Sequence, residues 1–390
     1  VNPFIKLCFI GFFAYLAYTL ARFPVIPLYA ESLHLSSEQI GLVVGASTLT
    51  GVFFKMPAGA LSDVFGRRVI MLIGVCFFAF TPFFYFLAKD ATALFIIRMI
   101  HGFATAVFTP VASALISDLA NKTNRGQLLS TYSSANMIGR TLGPVIGGWL
   151  LFISGFYLPF LASGIAGLIA LIFALSYPKE KASDVKGLKH IQFISGLKEV
   201  LSNKAILIVS VVECIQYLAT GSIECFLPLY SKNIVHLIEW QIGILFGVQV
   251  IATMISKPFL GVISDKFGRK PQITIGLILG GITCALIPYL NSFFGILFLI
   301  AIYGLTVAVV TSATAAFVTD LARKENYGSA HGVFGTIMDI GHASGPIFGG
   351  ILVARLNYNL LFLTSGVFLI LCGILFKISI GFKKEVPLVI

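Results

Sequence analysis

Long apolar runs separated by short polar segments dominate the pattern of this chain. Twelve runs suit the about 20 helical residues that cross a bilayer's hydrocarbon. They lie at roughly 7–30, 40–61, 69–88, 91–117, 127–152, 155–177, 205–230, 241–262, 272–290, 293–318, 329–353 and 358–381. Runs of this length in lipid must satisfy their backbone hydrogen bonds internally, so each is predicted to be a helix. The fold class is therefore an all-α membrane protein with twelve transmembrane helices. No Ala-x-Ala-like site closes the first run, which is also longer than a signal's apolar region, so it reads as a span. The longest polar segment, residues 178–204, carries six lysines. It divides residues 1–177, an N-terminal six-helix bundle, from 205–390, a C-terminal one, and is predicted to be a cytoplasmic linker with a short surface helix.

The pattern also repeats. Gly59-Ala-Leu-Ser-Asp63-Val-Phe-Gly66-Arg67-Arg68 recurs as Gly261-Val-Ile-Ser-Asp265-Lys-Phe-Gly268-Arg269-Lys270, offset by 202 residues. The same offset relates Asp118-Leu-Ala to Asp320-Leu-Ala. It also relates Gly139-x-x-x-Gly143-Pro144-x-x-Gly147-Gly148 to Gly341-x-x-x-Gly345-Pro346-x-x-Gly349-Gly350. Two similar halves in a membrane suit alternating access, one half rocking against the other about a central site. In the charged turns the glycines permit a tight reversal. Asp63 is expected to face the positive N-terminus of a neighbouring helix, and Arg67 to bind a carboxylate or helix-end carbonyls. The Gly-Pro-Gly-Gly segments present a stripe without large side chains, which allows close helix approach.

Composition agrees. The chain is 57% hydrophobic and 11% charged, with net charge +11, whereas soluble domains carry about 25% charged residues. With both termini cytoplasmic, nineteen of the 27 basic residues fall in inner loops and tails and three in outer loops. That bias orients the chain and accounts for its positive charge without a nucleic-acid partner, since the basic residues are dispersed over many loops. The predicted location is the cytoplasmic (inner) membrane. The six cysteines fall within spans and show no metal-type spacing, so no disulfide framework, metal site or cofactor is expected. No P-loop, Gly-x-Ser-x-Gly or His-Glu-x-x-His motif occurs, so neither ATP nor an enzyme site is expected.

Over its whole length the sequence resembles the major facilitator superfamily, whose signature is the charged turn in loops 2–3 and 8–9. Within it the chain is most similar to the twelve-span drug/proton antiporters. Arg98-Met-Ile-His101-Gly102 resembles their Arg-x-x-Gln-Gly, with His101 in place of Gln. The segment from Gly139 to Gly148 resembles the antiporter signature, with Ser130 in place of a further glycine nine residues upstream. The resemblance implies two pseudo-symmetric six-helix bundles. It implies spans 3, 6, 9 and 12 at the periphery, and a gate of Gly59, Asp63, Gly66, Arg67, Gly261, Asp265, Gly268 and Arg269 that closes the cytoplasmic side. Glu224-Cys-Phe-Leu-Pro-Leu-Tyr230 resembles the span 7 glutamate segment of some Gram-positive drug exporters, which implies a role for Glu224 in proton coupling.

Charge inside the spans supplies the remaining candidates, because it is costly there and usually lines a water-filled cavity. Spans 3, 6, 9 and 10 carry none, and span 12 only Lys377 near its inner end. The repeat partners of Arg22, Arg98, Arg140 and Asp339 are Glu224, Ile300, His342 and Met137. Unduplicated residues are the better candidates for a specific task. Glu224, Asp339, Glu213 and Arg98 are therefore assigned to proton coupling. Arg22, Arg98, His101, Arg140, Tyr217 and Phe226 are assigned to a substrate cavity. Glu213 and Glu224, eleven residues apart, share a helical face. Lys55 and Lys257 are repeat partners and read as structural, snorkelling to the inner surface. Helix packing falls to Gly139, Gly143, Pro144, Gly147, Gly341, Gly345, Pro346 and Gly349.

Three functions stay open on these residues. One is proton-coupled efflux of small amphipathic compounds. Another is transport of one defined metabolite, such as an organic anion, sugar or siderophore. The third is a non-transporting receptor, which would not need charged turns in both halves. The expected partners are a small-molecule substrate, protons and lipid, and the chain is expected to act as a monomer.

Overall fold

Side-chain caps mark where several helices of this chain begin. The computed structural model describes residues 2–120, 125–178, 200–323 and 326–379. Among them are twelve helices long and apolar enough to span a membrane. The first six are α1 (Pro3–Ser32), α2 (Ser37–Phe65), α3 (Arg67–Leu87), α4 (Ala91–Leu119), α5 (Gly126–Ser154) and α6 (Tyr157–Leu175). The rest are α7 (Lys204–Asn233), α8 (Glu239–Phe267), α9 (Arg269–Tyr289), α10 (Phe293–Leu321), α11 (Tyr327–Arg355) and α12 (Tyr358–Ser379). Asp90 caps α4 by accepting from Ala93 N at 2.8 Å, and its repeat partner Ser292 caps α10 by accepting from Gly295 N. Gln39 and Gln241, also repeat partners, each accept the backbone N–H three residues upstream at the start of α2 and α8. Helix α1 breaks after Arg22, where Phe23 is extended and Pro24 has no N–H to donate. Of the predicted linker, residues 179–199 lie outside the described residues.

The glycine stripes bring helices together backbone to backbone. A Cβ on Gly139, Gly143 or Gly147 would strike the α1 backbone at Phe12 or Leu20 or the Thr19 side chain. On α11, Gly341 and Gly345 meet the α7 backbone at Cys214 and Leu218 in the same way, and Gly349 faces the Phe226 ring. The neighbouring glycines join the two halves instead. Gly148 abuts Glu239 O and Gly243 of α8, and Gly350 abuts Ser37 O of α2. Thus α5 packs on α1 and α8, and α11 packs on α7 and α2. Helices α3, α6, α9 and α12 contact their own half and stay at the periphery.

The halves touch near the ends of the helices remote from the charged turns. There Gly41 faces Pro346 O, Gly45 faces Ala343 O at 2.6 Å from a built Cβ, and Gly243 faces Pro144 O at 2.6 Å. Toward the charged turns the same helices separate. A Cβ on Gly59 would meet only Pro110 of its own half, and one on Gly261, Gly332 or Gly335 meets nothing within 4 Å. The space between the halves therefore opens toward the face that carries the charged turns.

Candidate functional site

A cavity of about 400 Å³ lies between the halves, lined from α1, α2, α4 and α5 on one side and α7, α8, α10 and α11 on the other. These are the eight helices that the peripheral four leave inside. Apolar wall comes from Tyr18, Phe23, Tyr217, Phe246, Val307 and Met338. Into it project Arg22, Lys55, Arg140, Lys257, Glu224, Asp339 and His342.

Two ion pairs in this cavity cross from one half to the other. Arg22 of α1 approaches Glu224 of α7 at 3.6 Å, and His342 Nε2 of α11 lies 2.8 Å from the same carboxylate oxygen. The Arg22 guanidinium also covers the Phe23 ring at 4.6 Å. Nearer the charged turns, Lys55 of α2 donates to Asp339 of α11. That pair corrects the reading of Lys55 as a snorkelling lysine. Its position matches that of Lys257, but its partner is a carboxylate of the other half, so the chain is held in the cavity. Lys257 likewise lines the cavity.

Three other candidates stand elsewhere. Arg98 is 1% exposed and does not line the cavity. Its guanidinium spans to α2, donating to Val43 O at 3.4 Å and Val44 O at 3.3 Å, and to Ser47 Oγ. His101 is fully buried and shares a 2.9 Å hydrogen bond with the Tyr85 hydroxyl. Phe226 is fully buried against Gly349 and the Tyr358 ring, in the core of its own half. The physical reason is common to the three: these helices are apolar around most of their circumference, so periodicity marks no cavity face. Glu213 sits behind the wall, where Thr314 Oγ1 of α10 donates to it at 2.7 Å. Tyr217 and Arg140 do line the cavity, and Arg140 lies over the Tyr15 ring at 4.2 Å.

The geometry of Arg98 yields a prediction. Lysine keeps the charge but has one donor centre where arginine has a fork that reaches two carbonyls and a hydroxyl. Arg98→Lys should therefore lower gradient-driven transport and energy-independent exchange together, with a loss of thermal stability of about 1–3 kcal/mol. Loss of the gradient-driven activity alone, with exchange and stability intact, would return Arg98 to the proton path.

At the charged turns, Gly66 and Gly268 adopt φ of 90° and 89°, which favours glycine. Arg67 binds Asp118 at 2.7 Å and Asp63 at 3.5 Å, and Arg269 binds Asp265 and, at 3.0 Å, Asp320. Each triad ties the α2–α3 or α8–α9 turn to the end of α4 or α10 within one half. Asp63 was expected at a helix N-terminus; among the described residues its partner is Arg67.

Comparison with known proteins agrees with this architecture. The family model described as Major Facilitator Superfamily matches residues 7–237 and 209–387. The chain belongs to that superfamily. It is 26% identical to an uncharacterised MFS-type transporter of Methanocaldococcus jannaschii, over 90% of this chain and 92% of that protein. It is 27% identical to multidrug resistance protein 1 of Bacillus subtilis, over 87% of each. Its fold matches that of the nucleoside transporter NupG with a TM-score of 0.80 at 17% identity, covering 98% of this chain and 100% of that one.

Sequence reasoning missed Lys55, Lys257 and His342 as cavity residues. The signal for His342 was present. It is the repeat partner of Arg140 and lies three residues, one helical turn, after Asp339.

Proposed function

We propose that this protein is a proton-coupled antiporter that exports small amphipathic compounds across the cytoplasmic membrane by alternating access. The observation that carries the reading is the pair of ion pairs, Arg22–Glu224 and Lys55–Asp339, that join the two halves inside an otherwise largely apolar cavity. The likeness to multidrug resistance protein 1 supports the export of amphipathic compounds. With the charged turns cytoplasmic, as the distribution of basic residues predicts, the conformation described is open inward.

Ionised, the two carboxylates hold the halves together, Glu224 toward the side away from the charged turns and Asp339 near the middle of the helices. A proton on either carboxylate cancels its pair. A substrate that enters between the halves and parts a pair does the same. Either ligand then permits the cavity to open outward, while the empty, deprotonated transporter stays locked. Antiport requires that the empty carrier not switch freely, and the pairs oppose its outward opening. Each ligand shifts the equilibrium only as far as its preference for one conformation allows. The Arg67 and Arg269 triads keep each half rigid during the motion. The chain needs no metal, cofactor or second copy in this scheme.

Counter-transport in proteoliposomes tests the proposal. An imposed proton gradient, inward with respect to the cytoplasmic face, should drive a hydrophobic dye out against its own gradient, and dye added without a proton gradient should move protons the opposite way. Dye movement with no opposed proton movement would contradict it. The fold likeness to a nucleoside transporter keeps a defined polar metabolite as the second reading, which competition by nucleosides would reveal.

A further inference from the structure

The repeat places on one side of the cavity a pair of cations with no carboxylate in contact among the described residues. Lys55 faces Asp339 where α2 crosses α11. The crossing of α8 and α5 has the same register: Gly41 and Gly45 meet Pro346 and Ala343, and their repeat partners Gly243 and Gly247 meet Pro144 and Thr141. The repeat partner of Lys55 is Lys257, but that of Asp339 is Met137. Lys257 therefore stands opposite a thioether where its counterpart stands opposite a carboxylate. One turn along α5 is Arg140, which takes the place of His342 and adds a second positive charge. Lys257, Met137 and Arg140 all line the cavity. Neither cation forms an ion pair among the described residues, and the ring of Tyr15 is the partner recorded for Arg140. Glu213, the acid behind this wall, is bonded to Thr314 and attracts Lys257 only through space, without contact. The four cavity cations thus face two carboxylates, both already paired across the halves.

Unpaired cations at membrane depth are costly and mark sites of function. Resting on the reading of this cavity as the transport site, we propose that the cargo carries an acidic group, which docks between Lys257 and Arg140 in the place that a carboxylate fills on the opposite side. The guanidinium fork and the ammonium together can hold both oxygens of a carboxylate or sulfonate. The apolar wall takes the rest of the molecule. The cargo class is an amphipathic organic anion: an acid head on an aromatic or aliphatic body.

Binding of a matched probe set to the purified protein in detergent tests this assignment. The probes are naphthalene-2-carboxylate, 2-naphthylmethanol and 2-naphthylmethylammonium, which share one body and differ in charge. The carboxylate should bind about tenfold or more tightly than the alcohol, as a charge-assisted contact implies, and the ammonium most weakly. Lys257→Met and Arg140→Gln should each remove that preference. Met137→Asp should supply the missing internal carboxylate and also remove it; thermal unfolding checks that this variant folds, and Lys257→Met carries the test if it does not. Equal affinity for the three probes, preference for the ammonium, or an unaltered carboxylate preference in Lys257→Met would overturn the assignment. Phosphatidylglycerol added as competitor tells a lipid headgroup, which would displace the carboxylate probe, from a free anion, which it would not. Both results keep the acid site. Flux separates the two readings. A carboxylate that binds but never crosses sinks the transport reading and leaves the site. An alcohol that is transported without any carboxylate preference sinks the site and leaves transport.

Discussion

Glu224→Gln is expected to abolish proton-driven accumulation of substrate while leaving energy-independent exchange intact. The amide matches the protonated acid in shape and charge. It keeps a contact to His342 but removes the ionic hold on Arg22, which now lies at 3.6 Å. The halves are then released without a proton, and the transporter can return empty. Substrate added on one side should still exchange with substrate on the other, since exchange needs only loaded carriers. Accumulation measured against an imposed proton gradient, alongside counterflow without one, separates the two activities. Equal loss of both would mean that the Arg22–Glu224 pair is a packing contact and carries no coupling.

The Lys55–Asp339 pair should show the second large effect. Asp339 is buried and Lys55 more exposed, at 7% and 37% of their side-chain surfaces. Asp339→Asn leaves the ammonium facing a neutral amide in a confined cavity. A hydrogen bond between charged groups contributes about 1.5–3 kcal/mol, so gradient-driven transport should fall about tenfold to a hundredfold. Exchanging the charges in Lys55→Asp/Asp339→Lys should recover most of the loss, because the pair crosses between α2 and α11 and either helix can carry either sign. Each single reversal should be inactive. An exchange variant no better than the single ones would show that Asp339 acts through something other than Lys55.

The sequence made the helices and their close-packing stripes legible, because both rest on repeated local signals. Apolar length marked each span, and the 202-residue repeat carried the charged turns and the glycine stripes from one half to the other. The repeat misled at Lys55 and Lys257. Duplicated residues looked like shared scaffold, yet duplication preserves a position and not its partner, and the partners differ as Asp339 and Met137. Periodicity was equally insufficient at Glu213 and Glu224. They share a stripe of α7, but at one depth the stripe opens on the cavity and at the other it meets Thr314 of α10. Arg98 and His101 were misplaced because α4 is apolar on nearly every side. Charge alone cannot say whether a buried arginine faces water or neighbouring carbonyls, as Arg98 faces those of Val43 and Val44.

The central claim is that the cross-half ion pairs lock the face remote from the charged turns, and that protons release it. Spin labels at Ser32 and Ile234, at the ends of α1 and α7 on that face, report its width by electron–electron distance measurement in a background free of native cysteines. The wild type should give a single short distance in mildly alkaline buffer and gain a longer population in mildly acidic buffer. Glu224→Gln/Asp339→Asn should show the longer population in both. A wild-type distribution that does not change with pH, or a double variant that stays closed in alkaline buffer, would contradict the account.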